Sequence, residues 1–300
     1  MPQIQDPIGP IILSMEVDDE DKCESEYRLR IGNRVKYLSI APATFDRDTL
    51  SFPLASLPPL PYYDDNWTFA YISRDADSGE LKTSLSNRKF AEVRSIWHSA
   101  QINVLDLERT QQLTGAAFEA LISKCAFRGL AVTSVPLLLS SEDKVAVIAK
   151  IARFEWEIHR IERETRAYLA LLQHGASDVA PRFLGHVHES GRVIGFLLEK
   201  LEGQRNASID DLSGCEAVLV RLHGLGLLHG DANRYNFLVG QDGVRIIDFE
   251  HFQENASEQI RKKEMQSFRG MMDFSYPPTG NSFCNLSFNI LLFSSFDVKF

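Results

Sequence analysis

The stretch "LLHGDANRYNFLV", Leu227 to Val239, places a histidine, an aspartate and two asparagines between two apolar runs. "RIIDFEHF" follows almost at once and closes another apolar run on an aspartate. Short apolar runs bounded by turn residues read as buried strands. Polar side chains at the ends of such strands mark a site rather than a surface. "NFLVG" and "VRIIDF" are therefore expected to form a short hairpin that holds Asn236 and Asp248 at one mouth. Asp231 and Asn236 lie five positions apart, and Asp248 follows twelve later.

The same logic applies upstream. "KVAVIAKIARF" is β-branched and apolar with Lys150 embedded in it, as in a buried strand that carries one functional amine. An edge-strand lysine is the bland reading, and its apolar flanks argue against it. "FEWEIHRIERETRAYLALLQHG" repeats apolar residues at three- and four-residue spacing and predicts a helix of about five turns. Its inner stripe is Phe154, Ile158, Ile161, Thr165, Tyr168 and Leu172, and Gly175 stops it. "PRFLGHVHESGRVIGFLLEKLEG" reads as two strands around a Glu-Ser-Gly turn. "SIDDLSGCEAVLVRLHGLG" predicts a further helix starting near Ser208, and "SEQIRKKEMQSFRGMMDF" one more.

The first sixty residues carry weaker signals: an acidic run "EVDDEDKCESE", one strand-like run "RVKYLSIA", and a piece with Pro53, Pro58, Pro59 and Pro61 read as extended linker or edge. "WTFAYISRDADSGELKTSL" predicts a hairpin around Asp-Ser-Gly. "QINVLDLERTQQL" reads as one strand with a polar continuation.

Three hundred residues, 44% hydrophobic and 24% charged, suit a globular chain with a sizeable core. The net charge of −9 argues against general binding to nucleic acid or an anionic membrane. Cys23, Cys125, Cys215 and Cys284 are scattered, so neither a zinc site nor a disulfide framework is expected. The N-terminus lacks a basic region ahead of its apolar residues, and no apolar run is long enough to span a bilayer. A cytoplasmic protein is the expectation.

The parts occur in the order Lys150, helix glutamate, Glu199–Leu201, H-x-D-x-x-x-x-N, D-F. This order and spacing resemble the protein-kinase-like superfamily from roughly residue 111 to 275. The segments "VIAKIARFEWEI", "PRFLGHV", "GRVIGFLLE" and "HGDANRYNFLV" are most similar to a fungal group of small protein-kinase-like proteins. The His-Gly-Asp form also resembles small-molecule kinases of the aminoglycoside and choline type. The resemblance implies a two-lobe α+β fold: a β-rich N-lobe at 111–203, a shortened helical C-lobe at 204–279, an N-terminal extension at 1–110, and an atypical tail at 280–300.

It also implies roles. Asp231 is the catalytic base, and Lys150 neutralises the ATP phosphates. Glu164 holds Lys150, with Glu162 and Glu157 as alternatives. Asn236 and Asp248 ligate Mg²⁺, whose preference is for hard oxygens. Glu199 to Leu201 form the hinge beside adenine, and Gly115 is the one glycine available to a phosphate-covering turn. His229 is read as structural. Departures from the pattern are the missing G-x-G-x-x-G loop, an insertion "CAFRGLAVTSVPLLLSSEDK", Glu250 in place of the D-F-G glycine, and Asn233 where a lysine is usual, with Arg234 a substitute charge. Function is then an ATP- and Mg²⁺-dependent phosphotransferase acting on a protein or small-molecule hydroxyl. The alternatives are a catalytically inactive pseudokinase scaffold and, remotely, a glycoside hydrolase using Asp248 and Glu250.

Overall fold

The computed structural model describes residues 9–18, 20–123 and 144–273. The expected insertion, apart from Lys144 at its end, and the 280–300 tail lie outside these residues. The chain is mixed α+β and rich in sheet.

Strands β1 (Ile11–Glu16), β2 (Ser25–Ile31), β3 (Arg34–Ile40), β4 (Phe69–Arg74) and β5 (Leu81–Ser86) form a five-stranded sheet in that order. The opening sixty residues are therefore far more structured than the single strand-like run suggested. In β2 the residues Tyr27, Leu29 and Ile31 alternate with arginines and point into a core shared with Leu38, Ile40, Trp67 and Ile72. Gly32 and Asn33 make the two-residue turn to β3, with Gly32 at φ 60°. Pro53 is not in a linker: it opens the short helix α2 (Pro53–Ser56), after α1 (Arg47–Ser51), where its missing N–H costs nothing. The hairpin expected around Asp-Ser-Gly is β4–β5, with the Asp75 carboxylate accepting from the Asp77 and Ser78 amides at 3.0 Å.

A six-stranded sheet follows, built from β6 (Gln101–Asn103), β7 (Glu108–Gln112), β8 (Ala117–Ser123), β9 (Lys144–Ile151), β10 (Phe183–Glu189) and β11 (Arg192–Glu199). Its spatial order is β6-β10-β11-β9-β8-β7. "QINVLDLERTQQL" is thus two strands, at opposite edges of the sheet, and the boundary expected at residue 110 falls inside β7. Five Cα steps from Asn103 to Glu108 reach at most about 18 Å. A flat six-stranded sheet would be about 24 Å across, so this one must be strongly curled.

Helix α3 (Ile158–Gln173) packs on this sheet after one 3₁₀ turn, and Gly175 ends it at φ 64°. Its buried face holds Ile158, Ile161, Thr165 and Tyr168 as predicted, but Leu172 is 52% exposed and Leu171 takes the inner place. The 100° advance per residue puts 161, 164, 168 and 171 on one line, which also buries Glu164.

Beyond Glu199 the chain forms a three-stranded sheet, β12 (Arg205–Asn206), β13 (Phe237–Gly240) and β14 (Gly243–Ile246), with helices α4 (Leu212–Gly224) and α5 (Glu258–Asp273). Ser208 and Asp211 form the capping box ahead of α4. Phe268 of α5 packs on Phe237 at a ring separation of 4.9 Å, within one core that runs continuously from the six-stranded sheet.

The two larger sheets are joined by a buried network. Arg28 of β2, 1% exposed, donates its Nε to Glu189 of β10 at 2.7 Å. Tyr37 donates its hydroxyl to the same carboxylate at 2.6 Å, and Arg192 reaches it at 3.0 Å. Burial by itself raises the Glu189 pKa, but Arg28 and Tyr37 outweigh it and hold the carboxyl below its ordinary value.

Candidate functional site

Lys150, on β9, is the centre of the cluster. Its ammonium lies 2.6 Å from Glu164 Oε2 on α3 and 2.6 Å from Asp248 Oδ1 beyond β14. The Asp248 contact has hydrogen-bond alignment, and the Glu164 contact is an ion pair only. Of the three candidate glutamates, Glu164 is the one that pairs with Lys150. Glu157 instead closes on Arg153 at 2.7 Å, and Glu162 faces the segment that precedes β6.

Burial disfavours the ammonium, yet Glu164 and Asp248 outweigh that and hold the Lys150 pKa above its ordinary value. Burial dominates at Glu164 and raises its pKa. Asp248 is held low: burial opposes its charge, but Lys150 overcomes the penalty. One cation is therefore shared by two carboxylates, of which Asp248 carries the charge more readily.

Close packing fixes the lysine. A Cβ on Gly195 of β11 would meet the Lys150 carbonyl oxygen at 2.3 Å, so only glycine permits the two strands to run this close here. Ala117 of β8 is the register partner of Lys150, and the turn Leu113–Ala116 sits just beyond it. Gly115 lies in this turn, and the Arg153 guanidinium is 3.5 Å from where its Cβ would be. A hairpin turn with a single glycine thus lies beside the lysine strand.

The loop from Leu228 to Asn236 is pinned from several sides. His229 is fully buried; its Nε2 donates to the Ile247 carbonyl at 2.9 Å, and its Nδ1 accepts from the Asp231 amide at 3.3 Å. Those partners fix the tautomer, and burial lowers its pKa, so the ring stays neutral and structural. Asp231 is flanked by amide donors. Asn236 Nδ2 lies 2.9 Å from the Asp231 carbonyl and 3.1 Å from its Oδ2, and Asn233 Nδ2 lies 3.1 Å from Oδ2. This orientation leaves the Asn236 amide oxygen as the atom available to a cation. Arg234 donates to the Tyr235 hydroxyl at 2.7 Å.

Two features of this loop were not legible beforehand. Gly230 has φ 88°, and a Cβ there would lie 2.3 Å from the His251 carbonyl oxygen, which accounts for glycine between His229 and Asp231. Glu264, on α5, accepts from the Gly230 amide at 2.5 Å and contacts His223 Nε2 at 2.6 Å, tying α4, α5 and the loop together. Asp248 itself has φ 67°, a left-handed conformation that an aspartate tolerates better than most residues. Phe249 is fully buried between His229 and Tyr168.

Glu199 ends β11; its carboxylate accepts from the Arg182 amide at 2.8 Å, and Leu201 lies half-buried where the chain passes from one sheet to the next. Glu250 turns its carbonyl to Arg163 at 2.6 Å, and its carboxylate is 3.6 Å from His251. Among the described residues no group of three or more histidine, cysteine or acidic side chains is placed to hold a metal by itself. Two cavities, of about 550 and 350 Å³, lie away from this cluster, between the five-stranded sheet and Trp156.

No family model matches the chain, and no curated protein is significantly similar to it. Among the described residues no helix is long and apolar enough to cross a membrane.

Proposed function

We propose that this protein is an ATP- and Mg²⁺-dependent phosphotransferase of the protein-kinase-like kind, moving the γ-phosphoryl group of ATP to a hydroxyl on a protein or small molecule. The observation that carries the reading is Lys150 bridging Glu164 and Asp248 at 2.6 Å each, three residues drawn from a strand, a helix and a distant loop. Phosphoryl transfer asks chiefly for positioned charge, and this constellation supplies it.

In this reading Glu164 fixes the Lys150 ammonium, which neutralises the nucleotide phosphates. Asp231, oriented by Asn233 and Asn236, takes the acceptor hydroxyl's proton as the new P–O bond forms and ADP leaves. Asp248 and the Asn236 amide oxygen would hold Mg²⁺. One carboxylate and one amide fall short of an all-protein cage, but Mg²⁺ ordinarily completes its shell with waters and phosphate oxygens, so the donor set fits a nucleotide-borne ion. Glu199 to Leu201 would flank adenine, and the turn containing Gly115 would cover the phosphates.

A second reading, a nucleotide-binding scaffold without turnover, is favoured by that turn. It is four residues long, offers one glycine, and has the Arg153 side chain against it. Phosphate release or transfer from radiolabelled Mg-ATP, compared between wild type and Asp231→Ala, separates the two. The phosphotransferase reading expects turnover in wild type that falls at least a hundredfold in the variant. Mg-ATP binding with no turnover in either protein would leave only the scaffold.

A further inference from the structure

Residues 88–97 contain no helix or strand, yet they are bonded along the outer face of α3. Glu155, in the turn that leads into α3, accepts from the Ala91 amide at 2.8 Å and pairs with Arg88. Glu162 accepts from the Arg94 amide at 2.6 Å and from the Ser95 hydroxyl and amide at 2.5 and 3.2 Å. The Trp97 indole N–H donates to the Thr165 carbonyl at 3.2 Å. Val93 is fully buried, and its amide donates to Val193 of β11 at 2.9 Å.

These bonds bracket Glu164. Glu162 and the carbonyl of the buried Thr165 are held by residues 94–97, while Glu164 points to Lys150 on another side of the helix. The outer face of such a helix is ordinarily left to water, and a sixteen-residue helix has little stability of its own. The far end of the segment is equally anchored, because it continues from β5 and the five-stranded sheet is joined to β10 by Arg28, Tyr37 and Glu189. Partial burial alone would raise the Glu162 pKa, but its bonds to Ser95 and Arg94 hold the carboxyl below its ordinary value, so it stays ionised to grip these donors.

We propose that the N-terminal sheet and residues 88–97 form a built-in clamp on α3 that holds Glu164 against Lys150, with Glu162 as its positioning residue. The glutamate that the sequence offers as an alternative partner for Lys150 thereby has a different task. Any effect of the clamp on phosphoryl transfer rests on the function proposed above; the clamp itself does not.

The test uses the full chain and needs no nucleotide. Hydrogen exchange of α3 amides is compared with that of α4, alongside the rate at which an N-hydroxysuccinimide acetate acylates Lys150, in wild type, Glu162→Ala and Ser95→Ala. Glu162→Ala removes three hydrogen bonds to a charged acceptor, and α3 exchange and Lys150 acylation are expected to rise at least about tenfold. Ser95→Ala, which keeps the charge and both amide bonds, is expected to raise both by about two- to fivefold, with α4 unchanged. Should Glu162→Ala unfold the chain, Ser95→Ala decides. Unchanged α3 exchange, exchange in α4 rising in step with α3, or unchanged Lys150 acylation in Ser95→Ala would overturn the clamp. Mg-ATP binding is measured separately: its absence in wild type would refute the proposed function while leaving the exchange result to decide the clamp.

Discussion

Replacing Lys150 by methionine keeps an unbranched chain of similar reach and removes the one cation between Glu164 and Asp248. The Glu164 side chain is 2% exposed, so its carboxylate would lose its counter-charge where water cannot replace it. Breaking a buried pair from one side costs about 3–5 kcal/mol. Tm is expected to fall by roughly 6–20 °C, at about 2–4 °C per kcal/mol for chains approaching this size. The loss should depend on pH in a definite direction. The Glu164 pKa is already raised in the fold, so above its unfolded value of about 4.3 the folded chain binds more protons than the unfolded one. A group of this kind makes stability fall as pH rises through that interval. Without Lys150 the carboxyl is pushed further up and is buried protonated at low pH, where little is lost. The wild-type ammonium has a raised pKa, so its contribution is fully present below about pH 10. The deficit of Lys150→Met relative to wild type should therefore be smaller near about pH 5, where only the pairing with Asp248 is lost, and widen toward about pH 8. Adding Glu164→Gln to the variant should recover at least half of the loss at the higher pH. Thermal melts of the three proteins at both pH values measure this. A deficit independent of pH, together with no recovery from Glu164→Gln, would refute the charge argument and leave only lost packing.

Gly230→Ala forces a side chain onto a positive-φ backbone position and into the His251 carbonyl, and should lower stability by at least about 2 kcal/mol, read as a reduced urea midpoint at unchanged slope. Glu189→Gln strands the Arg28 guanidinium at the joint between the two sheets; a loss of about 3–5 kcal/mol is expected in the same assay. Because the Glu189 pKa is depressed, wild type should itself lose this contribution as pH falls below about 4, through the folded value.

What could be read from the sequence followed from apolar periodicity and from polar residues that interrupt it. Lys150 inside a β-branched run, the α3 pattern, and the hairpin after Asn236 each carry a local signal, and the structure brings Lys150, Glu164 and Asp248 together. Other features depend on long-range contacts that leave no local trace. Glu264 sits in "RKKEMQ", where a charged residue on a polar helix looks like a solvated one, and only the fold brings it to Gly230. Arg28 alternates with Tyr27 and Leu29 as a surface residue would, but a second sheet covers that face. Gly230 looks like a variant of a loop motif until the His251 carbonyl is found behind it. Glu162 and Glu164 differ only by which way a 200° rotation turns them, and the partner on each side decides the role.

A thermal-shift titration of wild type with Mg-ATP asks whether Lys150, Asp248 and Asn236 receive a magnesium-bound nucleotide, as proposed above. At a concentration about a hundred times the dissociation constant, binding should stabilise the fold by about 2.7 kcal/mol. The shift should require Mg²⁺ and be lost in Asp248→Asn. No shift at saturating Mg-ATP, or an equal shift in wild type and Asp248→Asn, would mean that these residues do not form a magnesium–nucleotide site.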